Sequence, residues 1–186
     1  MMRKLLIMCF AMCFAAPALA ADVGGVKLAD KATLGGQELV LNGAGIRTKA
    51  IFKVYVVSLY EPAKAADLAG VLAKGPRRVQ MNLLRNLSAD DLVNALVDGL
   101  KEANSEQEAA AVKPQVDQMV TIMKAFGEVK EGNVVTLDFV DGATLIGFNG
   151  AAKGTIAGEP FNRALTKIWV GDKPVQADLK KAMLGG

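Results

Sequence analysis

The chain has 186 residues, 22 basic against 19 acidic side chains, a formal charge of +3, no histidine and only two cysteines. Both cysteines, Cys9 and Cys13, fall in an N-terminal stretch that reads as a cleaved leader, so the remaining chain would hold no thiol. That inventory excludes disulfides, thiolate nucleophiles, Ser-His-Asp triads and His/Cys zinc sites, and it implies neither a metal nor a cofactor.

The leader is expected over residues 1–20. Arg3 and Lys4 form a basic start, Leu5 to Ala16 an apolar run, and Ala18-Leu19-Ala20 a small-residue cleavage site. The apolar run is short for a bilayer span, which needs about 20 residues. Cleavage after Ala20 would deliver a periplasmic or secreted product with no integral membrane segment. Arg3 and Lys4 account for two of the 22 basic residues, so 20 would remain against 19 acids. Such a balance carries no electrostatic footprint for nucleic acid. Residues 21–186 suit one domain with a sizeable core.

From Val23 to Leu41 short strands alternate with the glycine pairs Gly24-Gly25 and Gly35-Gly36. Glu38 to Leu41 reads as a strand entering a Gly43-Ala44-Gly45 turn, which delivers Arg47. Ala50 to Tyr60 follows as a strand holding the only two tyrosines, Tyr55 and Tyr60. Alternation places Tyr55, Val57 and Leu59 on one face and Val56, Ser58 and Tyr60 on the other; both faces are apolar enough to be covered. A guanidinium with phenols nearby on apolar β-structure suits the head group of an anionic, largely apolar ligand. Tyr60, of opposite parity to Tyr55, reads as packing, and Gly43-Ala44-Gly45 lacks the order of a nucleotide-binding loop.

A further strand runs from Val79 to about Leu87, with Arg77-Arg78 read as solvated surface. Ser88-Ala89-Asp90-Asp91 and Ser105-Glu106-Gln107-Glu108 are capping signatures for two helices, the second restarted at Pro114 and closed at Gly127. Val134–Val140 and Ala143–Phe148 flank Asp141-Gly142 and predict a hairpin. A short strand over Gly154–Ile156, a helix from Pro160 to Gly171 with Trp169 on its apolar side, and a last helix ending at Leu184 complete the chain. Strands first, helices in the middle, a hairpin and closing helices predict an α+β fold, an antiparallel sheet with helices on one face.

Two segments then carry a resemblance. LNGAGIRTKAIFKVYVVSLYEP, from Leu41, and EPFNRALTKIWVGDKPVQADLKKAML, from Glu159, are similar to the chalcone isomerase family, most of all to its bacterial, secreted chalcone isomerase-like members. The resemblance implies an open-faced β-sandwich with a ligand cleft between sheet and helices. Plant members cyclise chalcones; others bind fatty acids. Arg47 matches the arginine of both types, polarising an enone carbonyl in one and pairing with a carboxylate in the other. Tyr55 stands where the enzymes carry a threonine, and the helix from Ser88 to Asn104 lacks the enzymes' tyrosine. Asn94 lies about one residue from the expected asparagine. Near the enzymes' late-helix threonine stand Asn162 and Arg163, with Thr166 a turn further on.

These features favour a periplasmic binding protein for a small apolar, carboxylate-bearing ligand such as a fatty acid, held by Arg47 and Tyr55. The alternative is an isomerase cyclising chalcone-like substrates, an intramolecular lyase with Arg47 as its catalytic residue. A second alternative is a partner-binding scaffold with a vestigial cleft.

Overall fold

The computed structural model describes residues 21–73 and 75–186; the leader expected over residues 1–20 lies outside them. A small hairpin opens the described chain: β1 (Ala21–Val23) and β2 (Val26–Leu28) turn at Gly24-Gly25, both in the left-handed region. Next come β3 (Lys31–Leu34), β4 (Gln37–Lys49), β5 (Phe52–Glu61), the short α1 (Leu68–Val71) and β6 (Arg77–Leu83). A two-residue strand β7 (Leu87–Ser88) precedes α2 (Ala89–Ala103), α3 (Glu106–Ala111) and α4 (Lys113–Lys124). The chain ends with β8 (Glu128–Val129), β9 (Val134–Val140), β10 (Ala143–Phe148), β11 (Ala151–Ala157), α5 (Glu159–Val170) and α6 (Ala177–Met183).

Seven strands make one antiparallel sheet in the order β11-β10-β9-β6-β5-β4-β3. The expected α+β arrangement is the one observed. Period-two alternation turns Tyr55, Val57 and Leu59 of β5 and Val79, Met81 and Leu83 of β6 to one face. There they meet Leu92, Leu96 and Leu100 of α2 and Leu165, Ile168 and Trp169 of α5, all buried in one core. Tyr60 joins Leu34 and Leu39 in a separate cluster on the opposite face and donates its hydroxyl to the Ala29 carbonyl at 3.0 Å. It is a packing residue.

Local chemistry explains the element ends. The Ser88 hydroxyl accepts from the Asp91 amide at 3.0 Å, and Ser105 with Glu108 forms a complete reciprocal box. Pro114 stands in the first turn of α4, where its missing N–H costs nothing. Asp141 and Gly142 have φ of 51° and 72°, the pair of positive values that a two-residue type I′ hairpin needs.

Two expectations are overturned here. Gly43-Ala44-Gly45 is not a turn: it lies within β4, and the chain reverses at Ala50-Ile51, where Ala50 has φ 52°. The glycines serve close approach instead. A Cβ on Gly43 would stand 2.7 Å from the Met183 carbonyl oxygen and closer still to that of Ala182; one on Gly45 would stand 2.8 Å from Leu179 Cδ1. Helix α6 therefore rests directly on the β4 backbone. The strand expected to reach Leu87 also leaves the sheet after Leu83 and resumes only as β7.

Arg77-Arg78 is likewise not solvated surface, because alternation sends the two side chains to opposite faces. Arg78 pairs bidentately with its cross-strand partner Asp138, the second contact at 2.7 Å. Arg77 is buried under α5, its guanidinium 4.7 Å from the Phe139 ring centre and its Nε donating to Thr166 Oγ1 at 3.1 Å. Glu61 is buried nearby, and burial raises its pKa from 4.5 to about 8 against the opposing pull of Arg77. Between those values the folded chain keeps a proton that the unfolded chain has released, so stability should fall as pH rises across that window. Thermal unfolding of Glu61→Gln, which stays neutral, should show a flatter pH profile than wild type over pH 5 to 8.

Candidate functional site

On β4 the residues at every second position, Gly43, Gly45 and Arg47, pair with Leu59, Val57 and Tyr55 of β5. Directly opposed residues of an antiparallel pair point to the same face. Arg47 therefore shares the helix-covered face with Tyr55, and the two glycines before it give α6 room to lie on the same strand. The register slips between Arg47 and Thr48 and leaves Val54 unopposed, a bulge of the kind that re-aims a side chain near a strand end.

Gln176, the residue capping the start of α6, secures this strand end. Its amide nitrogen donates to the Ile46 carbonyl at 3.2 Å, and its oxygen accepts from the Thr48 amide at 2.9 Å and from Arg47 Nη1 at 3.2 Å. Arg47 Nη1 also donates to the Thr48 carbonyl at 2.7 Å. Both hydrogens of Nη1 are thus used, while Nε and Nη2 have no carbonyl, amide or carboxylate acceptor among the described residues, and the guanidinium lies within hydrogen-bonding reach of the Tyr55 hydroxyl. No carboxylate pairs with Arg47 there either. The side of the guanidinium that forms a planar fork with a carboxylate is the side left over.

Tyr55 is 5% exposed, and its hydroxyl oxygen accepts from the indole Nε1 of Trp169 at 3.2 Å. Burial raises the phenol pKa, although the Trp169 hydrogen bond and the charge and hydrogen bonding of Arg47 oppose the shift. The hydroxyl therefore stays protonated at neutral pH, and its hydrogen has no acceptor among the described residues. A neutral phenol donor beside a guanidinium is suited to an oxyanion that it does not itself deprotonate. Tyr55→Phe should leave the buried indole N–H unpaired and destabilise the fold by about 1–3 kcal/mol, read by urea unfolding.

Arg47 and Tyr55 line a hollow of about 180 Å³ between the β4–β5 ends and α2, closed by Val54, Leu96, Gly99, Ile168 and Val175. It adjoins a second hollow of about 550 Å³, with which it shares Lys49, Val54, Tyr55, Ala95 and Asp98, and which extends past Leu92 and Leu87 to Phe52. Small-molecule sites commonly occupy about 300–1,000 Å³. The inner hollow is sized for a head group and the outer one for an apolar chain. Asp98 and Glu102 are exposed on the rim along with Lys49, so the rim carries both signs of charge, and Arg47 and Tyr55 are the less exposed groups able to discriminate an anion. A separate apolar groove of about 620 Å³ lies on another side of α2, against α3 and α4, where its charged residues are exposed and two of them, Lys113 and Asp117, pair with each other. It has no buried polar group to orient a ligand.

The other sequence candidates stand apart from Arg47. Asn94 is exposed and lines only the outer hollow. Asn162 is buried and accepts from the Thr144 hydroxyl, while Thr166 serves Arg77 and donates to the Asn162 carbonyl at 2.8 Å. Gln176 and the polar role of Trp169 escaped sequence reasoning. Trp169 reads as one more apolar residue of an amphipathic helix, and Gln176 has no local signal beyond its place before a helix.

Residues 20–185 match the family model described as chalcone isomerase-like. No curated protein sequence matches the chain. Among solved structures it is similar to the crystal structure of a fatty-acid binding protein of Arabidopsis thaliana, with a TM-score of 0.69 and 12% sequence identity over 86% of this chain and 92% of that one. At that identity the likeness is one of fold. The family match extends from the first strands through the glycines and arginine of β4 to α6, and on that basis the chain belongs to the chalcone isomerase-like family.

Proposed function

We propose that this protein carries a fatty-acid-like ligand, a single apolar chain ending in a carboxylate, and that it does so after export and loss of residues 1–20. The observation that carries the reading is the donor set inside the cleft: Arg47 Nε and Nη2, without a carboxylate or carbonyl partner among the described residues, beside the neutral Tyr55 hydroxyl, in a hollow that adjoins a larger one. The carboxylate takes the guanidinium fork and the phenol hydrogen, and the chain runs past Val54 and Leu92 into the outer hollow. The Arabidopsis protein of the same fold is described as a fatty-acid binding protein, which agrees with this assignment.

Catalysis by chalcone cyclisation has less support. None of the α2 residues lining either hollow is a phenol, Asn94 reaches only the outer one, and Thr166 is engaged with Arg77. An arginine could stabilise a developing enolate, but of the groups that position a substrate or deliver a proton only the Tyr55 hydroxyl lies beside it. The test is native mass spectrometry of delipidated protein with dodecanoate. One-to-one binding is expected, and failure to bind at micromolar ligand would refute the assignment. Chalcone absorbance should decay at the same rate with wild type and Arg47→Ala. The mature N-terminus should be Ala21 in protein recovered from the periplasm, as read by intact mass.

A further inference from the structure

Ile51 is 86% exposed and Phe52 53% exposed, and they are the exposed large apolar side chains among the described residues. The large apolar groups of β5 after Phe52 are at least partly buried, so this pair is an exception to an otherwise well-covered sheet. The two residues project at the β4–β5 reversal, next to Ala50 in its left-handed conformation. That reversal is also the mouth of the cleft, since Lys49, Ala50 and Phe52 line its outer hollow.

The chain segment that forms the tip carries charge of one sign. Between Glu38 and Glu61 the chain contains no acidic residue, while Arg47, Lys49 and Lys53 lie there. Neither lysine is in an ion pair among the described residues. Arg85 adds a further cation, its guanidinium 4.6 Å from the Phe52 ring centre. The acids of the outer hollow, Asp91 and Asp98, lie on the opposite wall, on α2.

We propose that the β4–β5 tip docks the cleft mouth on an anionic lipid surface. Ile51 and Phe52 enter the apolar boundary, and Lys49, Lys53 and Arg85 meet the phosphates. An apolar pair flanked by cations is the combination that holds a peripheral protein at such an interface. Asp91 and Asp98 tilt α2 away from it, so the outer hollow opens toward the acyl region. A carboxylate ligand could then pass between lipid and Arg47 without crossing water. This docking rests on the carrier assignment, and the two are separable by experiment.

The measurement is flotation with vesicles of equal parts phosphatidylcholine and phosphatidylglycerol, and with phosphatidylcholine alone. Wild type should float with the anionic vesicles and much less with the neutral ones. Ile51→Ser, a change at a solvent-exposed position outside both hollows, should lower partitioning about tenfold, and Ile51→Ser/Lys53→Gln should lower it further. Both variants should keep wild-type dodecanoate affinity in the absence of vesicles. Wild type that binds dodecanoate but does not float, or variants that float equally well, would overturn the docking and leave the carrier assignment standing. Concentration-dependent dimerisation lost in Ile51→Ser would also overturn it, assigning the tip to self-association. Loss of dodecanoate binding by wild type counts against the carrier assignment alone.

Discussion

Arg47→Ala should weaken dodecanoate binding by about tenfold to a hundredfold, the equivalent of a charge-assisted hydrogen bond of about 1.5–3 kcal/mol. The reasoning starts from what the guanidinium already does. Nη1 is spent on the Thr48 carbonyl and Gln176, so it orients the group rather than binding a ligand. Nε and Nη2 remain for a bidentate carboxylate. Alanine removes both donors and leaves the Tyr55 hydroxyl, with Lys49 at the exposed rim, to meet the head group. Arg47→Lys should restore only part of the loss, because an ammonium keeps the charge but not the planar fork. The check is competition binding with dodecanoate and with dodecanol, which has the chain and lacks the charge. Wild type should prefer the acid strongly, and Arg47→Ala should bind the two within a few-fold. Equal affinity of wild type and Arg47→Ala for the acid would remove Arg47 from the head-group site.

Gly43→Ala should destabilise the protein by about 1–3 kcal/mol, the range for forcing a methyl group into a packed interior. The size of the effect comes from what the methyl would meet. The atoms in its way are the backbone carbonyls of Ala182 and Met183, which cannot swing aside as a flexible side chain can. Helix α6 would have to lift or the β4 strand bend. Asn42, just before the glycine, ties the same helix down, donating to the Met183 carbonyl at 2.8 Å while bonding Ala65 in both directions. Urea unfolding should show a lower midpoint with an unchanged slope. The displacement should also reach the cleft, because Gln176 caps α6 and bonds Arg47, so dodecanoate affinity should fall even though Gly43 lines neither hollow. A Gly43→Ala protein with wild-type stability would show that α6 does not lean on this strand.

Much of the architecture was legible because it is locally encoded. Ser88 and Ser105 announce two helix starts, Asp141-Gly142 a hairpin, and the alternation through Tyr55, Val57 and Leu59 a strand buried on both faces. The Gly43-Ala44-Gly45 segment reads as a turn for a physical reason. A glycine needed for a turn and one needed for close approach are the same letter, and only the position of α6, some 140 residues away, distinguishes them. Arg77 reads as surface for a related one. A basic pair suggests surface, and the burial of one member follows from α5 lying over that face of β6.

The sequence by itself determined the inventory: no histidine, a lone arginine and two tyrosines on the β4–β5 pair, and a helix from Ser88 to Asn104 without the phenol that the resemblance to the family's enzymes implies. Tertiary structure decided what that arginine can do. The cross-strand register that sets Arg47 opposite Tyr55, the indole of Trp169 against the Tyr55 hydroxyl, and the Gln176 clip all join residues far apart in the chain. Periodicity and capping act over a few residues and are written in neighbouring letters. Which donors remain free in a cleft depends on partners brought together by packing, and no local pattern records them.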